Sequence, residues 1–199
     1  LYQKNADKRE QPASMTKILP CVLALENSRP NDVVEISSYT AGRAFTRLSQ
    51  NTTFTMHNLL IEMMLASDNV AAFALEDYFK ARGKDLIALM NQKAQRLGAR
   101  SSHFVNPNGL ARSDHYSTAR DMAKIAAYCW RNKAFRSIVG LREADVPCLQ
   151  PKGVKIHVKS TNKMYKLYPG IRGIKTGYTH ASGGCVAIAA VHNGMQLIV

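Results

Sequence analysis

Apolar residues at Met15, Ile18, Leu19, Val22, Leu23 and Leu25 recur at helical spacing within "QPASMTKILPCVLALEN", residues 11–27, and predict an amphipathic helix beginning near Ser14. Pro20 falls inside that helix; an internal proline removes a backbone hydrogen bond and predicts a kink. Residues 29–55 are rich in β-branched and turn residues, which predicts short strands and loops. Helical spacing returns over 56–67, 70–82, 84–98 and 117–132, the first two runs separated only by Asp68 and Asn69. Between the last two, "SSHFVNPNGLARSDHY" carries Asn-Pro and Asn-Gly steps and reads as a loop. The final third changes character. "LYPGIRGIKTGYT", "GGCVAIAAVHNG" and "MQLIV" read as consecutive strands, the last two joined by a hairpin at His-Asn-Gly, and so as an antiparallel sheet. The opening "LYQKNADKRE" reads as a strand end and a turn. It and the terminal "MQLIV" give the chain the look of one trimmed at both ends.

A chain of 199 residues, 46% of them hydrophobic, supports one sizeable core, so residues 1–199 are expected to form one domain. Lys and Arg outnumber Asp and Glu by 27 to 14, a formal charge of +13. Such a field favours polyanionic surroundings such as anionic lipid or acidic wall polymer. The basic residues are spread along the chain instead of forming an arm, which argues against nucleic-acid binding. Cys21, Cys129, Cys148 and Cys185 are too far apart for a CxxC motif, and no HExxH occurs, so neither a metal nor another cofactor is expected. Cys21 and Cys185 lie in apolar runs and read as buried thiols. No apolar run reaches the ~20 residues of a membrane-spanning helix.

Three short motifs bear on chemistry. In "SMTK", Ser14 precedes Lys17 by three residues, so hydroxyl and amine share a helix face. A serine becomes a nucleophile when a base takes its proton, and a lysine whose pKa is depressed can be that base. Ser14 is equally a good helix cap, and a second Ser-x-x-Lys exists at "STNK", Ser160 to Lys163. Only Ser14 opens a long apolar helix. "SDN", Ser67 to Asn69, lies in the tight junction between two predicted helices, unlike "SQN" at Ser49 to Asn51. A junction of that kind presents a hydroxyl and a carboxamide rigidly, or merely caps a helix. "KTG", Lys175 to Gly177, ends a predicted strand. It offers a charge and a hydroxyl to a carboxylate, and a glycine where another backbone can approach.

Ser-x-x-Lys, Ser-Asp-Asn and Lys-Thr-Gly in this order are the signature of penicillin-binding proteins and class A β-lactamases. With "HFVNPNGL", "HYSTARDMAKIA" and "YPGIRGIKTGYT", the chain resembles the serine-type D-alanyl-D-alanine carboxypeptidases over nearly its whole length. The resemblance implies an α+β fold of the serine β-lactamase/transpeptidase type, an antiparallel sheet flanked by helices with an inserted helical cluster. It implies an extracytoplasmic enzyme that acts on peptidoglycan stem peptides and is trapped by β-lactams. Carried over by position, Ser14 is the acylated nucleophile, Lys17 its base and Ser67 a proton relay. Asn69 holds the substrate, Lys175 and Thr176 its carboxylate, with Gly177 beside them. The N–H groups of Ser14 and Tyr178 form the oxyanion hole, and Lys163 is a further candidate cation. Asp68 and Arg172 depart from the family's usual residues, and Asp68 is expected to turn away and fix its junction. A β-lactamase and a non-catalytic cationic envelope-binding module are the rival readings. No Glu-x-x-x-Asn deacylation segment supports the first, and the intact motifs oppose the second.

Overall fold

The computed structural model describes residues 2–199. The predicted opening strand does not form there: Glu10 meets Ser117 in a single antiparallel bridge, and Leu1 lies outside the described residues. The first helix begins as a 3-10 turn, Ala13–Lys17, and continues as Ile18–Asn27 (α1). Pro20 is the third residue of α1. The first turn of an α-helix is where a missing N–H costs least, so the expected interruption does not arise. Nor is α1 amphipathic over its first two turns, since every residue from Ile18 to Ala24 is buried. A helix apolar all round is one surrounded by other elements. Those elements are Met56–Leu65 (α3), Asn69–Lys80 (α4), Leu86–Arg96 (α5), Ala119–Trp130 (α6) and Lys133–Val139 (α7).

Caps explain where these helices begin. Thr55, Asp68, Asp85, Thr118 and Asn132 each accept a backbone N–H of the turn they precede, removing an otherwise unpaired donor. The four long helices match the predicted runs, while α7, packed next to α6 and the sheet, was not anticipated.

The sheet of the final third has the order Ile171–Thr179 (β5), Gly183–His192 (β6), Met195–Ile198 (β7), all antiparallel. Its second turn has positive φ at both Asn193 (47°) and Gly194 (78°), the backbone that the predicted Asn-Gly hairpin requires. Val33–Ile36 (β1) pairs with Thr52–Thr55 (β2), with the one-turn helix Ser38–Ala41 (α2) in the intervening loop. Glu143–Pro147 (β3) pairs with Lys155–Lys159 (β4). All four cysteines are free thiols; Cys21, Cys129 and Cys148 are buried, but Cys185 is only half-buried. It lies on β6 opposite Gly177, where alternate side chains face outward.

Candidate active site

Ser14 and Lys17 lie on the 3-10 turn, where three residues complete one turn and positions i and i+3 eclipse. Lys17 Nζ accordingly lies 3.0 Å from Ser14 Oγ. It is also 2.8 Å from Asn69 Oδ1 and 2.8 Å from the Asn108 carbonyl oxygen. Lys17 is fully buried. Desolvation, reinforced by the nearby charge of Lys175, holds its pKa well below the ordinary lysine value. A neutral amine has two N–H donors and one lone pair. Two of its three neighbours are carbonyl oxygens that can only accept, so when Lys17 is neutral and donates to both, the lone pair is left for the Ser14 hydroxyl. Pairing the hydroxyl with a lone pair is what general-base catalysis needs.

Two chain segments hold this turn from outside. Ala13 has φ of +47°, a strained conformation for a residue with a Cβ. Gly109 (φ +84°) packs so closely that a Cβ there would lie 1.9 Å from the Ala13 carbonyl oxygen. The same loop supplies the Asn108 carbonyl to Lys17. On the other side, a Cβ on Gly177 would lie 2.8 Å from Ser14 N, so β5 runs directly against the start of the turn. The Ser14 N–H, in the first turn of its helix, has no helical carbonyl to bond.

His115 is a contributor that sequence reasoning passed over. Its Nδ1 accepts the Val105 N–H at 3.1 Å, and its Nε2 lies 2.8 Å from Thr16 Oγ1. Burial pushes its pKa down to about 4, so near neutral pH the ring is uncharged and its single proton is on Nε2, donated to Thr16. The only sequence signal was the motif "HYSTARD", which marks no partner.

Asn69 opens α4, and with its Oδ1 on Lys17 its Nδ2 donors remain for a ligand. Ser67 sits two residues earlier with φ of +63°. Among the described residues, no hydrogen bond joins its hydroxyl to Ser14, Lys17 or Lys175. Asp68 turns away as expected. Its Oδ1 accepts the Val70 and Ala71 N–H groups and its Oδ2 accepts Thr46 Oγ1 at 2.7 Å.

On β5, Lys175 is 1% exposed and burial pushes its pKa down to about 7; its Nζ donates to the Thr176 carbonyl at 2.9 Å. Thr176 Oγ1 meets Thr161 Oγ1. That contact brings the second Ser-x-x-Lys segment to the site through Thr161, whereas Lys163 is exposed on the 3-10 helix Lys163–Lys166. Ser160 Oγ accepts the Asn162 N–H, a local turn bond. Tyr178 is 68% exposed at the rim, and Arg172 bonds the Pro169 and Ile171 carbonyls away from these groups. No cluster of His, Cys, Asp or Glu able to hold a metal occurs among the described residues.

The chain is similar to known proteins along its whole length. The chain matches the D-alanyl-D-alanine carboxypeptidase family over residues 1–199. It is 32% identical to D-alanyl-D-alanine carboxypeptidase DacF of Bacillus subtilis, an alignment covering 100% of this chain and 52% of that protein. With the D-alanyl-D-alanine carboxypeptidase of Streptomyces sp. (strain K15) it shares 30% identity, covering 100% of this chain and 74% of the relative. The crystal structure of the Streptomyces K15 DD-transpeptidase superposes with a TM-score of 0.91 at 32% identity, covering 100% of this chain and 82% of that one. The chain thus spans about half the length of DacF. The transpeptidase-type α+β fold expected from the motifs is the observed one.

Proposed function

Because the chain belongs to the D-alanyl-D-alanine carboxypeptidase family, we propose that residues 1–199 form the catalytic domain of a serine DD-peptidase that removes the terminal D-alanine of peptidoglycan stem peptides. The observation that carries this reading is the buried Lys17 amine, whose two carbonyl partners leave its lone pair for Ser14. Lys17 takes the Ser14 proton as Oγ attacks the carbonyl of the penultimate D-alanine. The N–H groups of Ser14 and Tyr178 stabilise the oxyanion. The C–N bond breaks, and D-alanine leaves with a proton relayed through Ser67. Water then cleaves the ester, giving the shortened peptide and free Ser14. Lys175 and Thr176 hold the substrate's C-terminal carboxylate, and Asn69 Nδ2 donates to a backbone carbonyl of the peptide. The stem peptide is a wall component, so the enzyme works outside the cytoplasm, where its positive surface meets the anionic envelope. β-Lactams acylate the same serine. The β-lactamase reading lacks a deacylating base, since Asp68 is committed to the α4 N-terminus and Thr46.

Incubation with a fluorescent penicillin, followed by peptide mapping, tests the assignment. Ser14 is expected to carry the adduct and Ser14→Ala to abolish it. Lys17→Arg, which keeps a charge but cannot act as base, is expected to slow acylation by about two orders of magnitude or more. Labelling that persists in Ser14→Ala overturns the proposal.

A further inference from the structure

A groove of about 530 Å³ lies away from Ser14, between α2, the second half of α4 and the start of α5. Its floor is fixed. Arg43 Nη2 donates to Glu76 Oε2 at 2.6 Å, its guanidinium lies 3.6 Å from the Phe73 ring centroid, and Thr40 Oγ1 donates to Asp77 Oδ2 at 2.7 Å. Asp85 caps α5. Three basic residues (Arg43, Lys80, Lys84) face three acidic ones (Glu76, Asp77, Asp85), so the groove is electrically balanced in a chain of formal charge +13. A polyanion gains nothing from such a site. An uncharged ligand rich in hydroxyl and amide groups gains oriented donors and acceptors that need no reorganisation. One wall is Tyr39, 72% exposed, a flat amphipathic ring of the kind on which a sugar face stacks.

The groove's place relative to Ser14 adds a second argument. Segment 43–46 runs along α4, tied to Glu76 by Arg43 and to Asp68, beside Asn69, by Thr46. Glu76 is seven residues from Asn69 on the same helix, about 10 Å at 1.5 Å per residue. That distance is spanned by about three extended peptide residues, so a sugar seated in the groove can present an attached peptide to Asn69 and Lys17.

We propose that this groove is a saccharide subsite that holds the uncharged N-acetylhexosamine strand to which the stem peptides are attached. The inference rests on the DD-peptidase reading for its physiological ligand, but the site itself can be tested without catalysis. Titration of the isotope-labelled protein with tetra-N-acetylchitotetraose, followed by NMR, is expected to give saturable shifts at Tyr39, Gly83 and Lys84. Tyr39→Ala should abolish them and Tyr39→Trp should retain them. D-Alanine release from glycan-linked pentapeptides should fall about fivefold or more in Tyr39→Ala, equivalent to about 1 kcal/mol, with release from the free pentapeptide unchanged. Absence of saturable shifts at millimolar sugar, identical shifts in Tyr39→Ala, or equal losses on free and glycan-linked substrates overturns the inference. Penicillin labelling of Ser14 in the same preparation separates the two claims. Labelling without sugar binding removes only the subsite, and sugar binding without labelling removes only the DD-peptidase reading.

Discussion

Three buried ionisable side chains carry opposite demands on stability and chemistry. Lys175, 1% exposed, has its pKa pushed by burial from 10.5 to about 7. Between those values the unfolded chain holds a proton that the folded chain has released, so this residue makes stability rise with pH across the window. Below about pH 7 the folded state holds a desolvated ammonium. Lys175→Met is therefore expected to raise stability near pH 6 by a few kcal/mol, with the gain shrinking toward pH 10, while penicillin acylation falls sharply. Urea unfolding at the two pH values checks the sign. Lys17 is held low for the same reason, and in the proposed mechanism the penalty has a use, because only the neutral amine can accept the Ser14 proton. Glu62 on α3 runs the other way. Both its oxygens are buried without a hydrogen bond, Arg47 Nε lies 3.4 Å from Oε1, and desolvation pushes its pKa from 4.5 to about 7. Here the folded state keeps a proton that the unfolded state releases, so stability falls as pH rises from 4.5 through 7. Glu62→Met is expected to stabilise by roughly 3 kcal/mol at pH 8 and by much less at pH 5, leaving the half-exposed Arg47 in solvent; equal effects at both pH values would contradict this assignment of cause.

At the scale of elements, the site depends on two backbones, at Gly109 and Gly177, approaching the Ala13–Lys17 turn more closely than side chains allow. Gly109→Ala places a Cβ against the Ala13 carbonyl at a φ of +84°. It is expected to cost about 2–3 kcal/mol and to lower acylation out of proportion to that loss, because Asn108 and Ala13 move together. Stopped-flow acylation beside thermal unfolding separates the two effects. This dependence also marks what was legible in the sequence. The Ser14–Lys17 pair follows from spacing three, and the Asp68–Asn69 break between two apolar runs located the second motif. The Asn-Gly hairpin and the four long helices followed from local pattern. Asn108 was not legible as a partner, because it contributes a backbone carbonyl across 91 positions of chain, which no side-chain pattern encodes. Strands β3 and β4 do alternate, with Val146 and Val158 the fully buried positions, but at five residues each they offer only two inward-facing side chains apiece, too short a run to stand out from a loop. Helix α7 is only about two turns long and follows α6 after only Arg131 and Asn132, and its clearest mark is the Asn132 cap on Phe135.

Across the whole molecule, the residues proposed to act come from 14–17, 67–69 and 175–178, and the fold brings them together by seating the turn between the helical cluster and β5. Around that buried centre lies a surface of formal charge +13. The two levels respond differently to salt. The proposed contacts of the buried Lys175 and the half-buried Thr176 with a substrate carboxylate act at hydrogen-bond distance, where mobile ions screen less than they do between separated surface charges. Attraction between the basic surface and an anionic wall acts over the Debye length, which shrinks from ~30 Å at 0.01 M salt to ~3 Å at 1 M. Raising salt across that range is therefore expected to reduce D-alanine release from intact anionic sacculi by about tenfold or more, through slower association, while release from a soluble pentapeptide changes little. Sacculi stripped of their anionic wall polymer should lose the salt dependence as well. A soluble peptide as salt-sensitive as the sacculi would place the effect in the substrate pocket, and an unchanged rate on sacculi would mean that the positive surface has no part in reaching the wall.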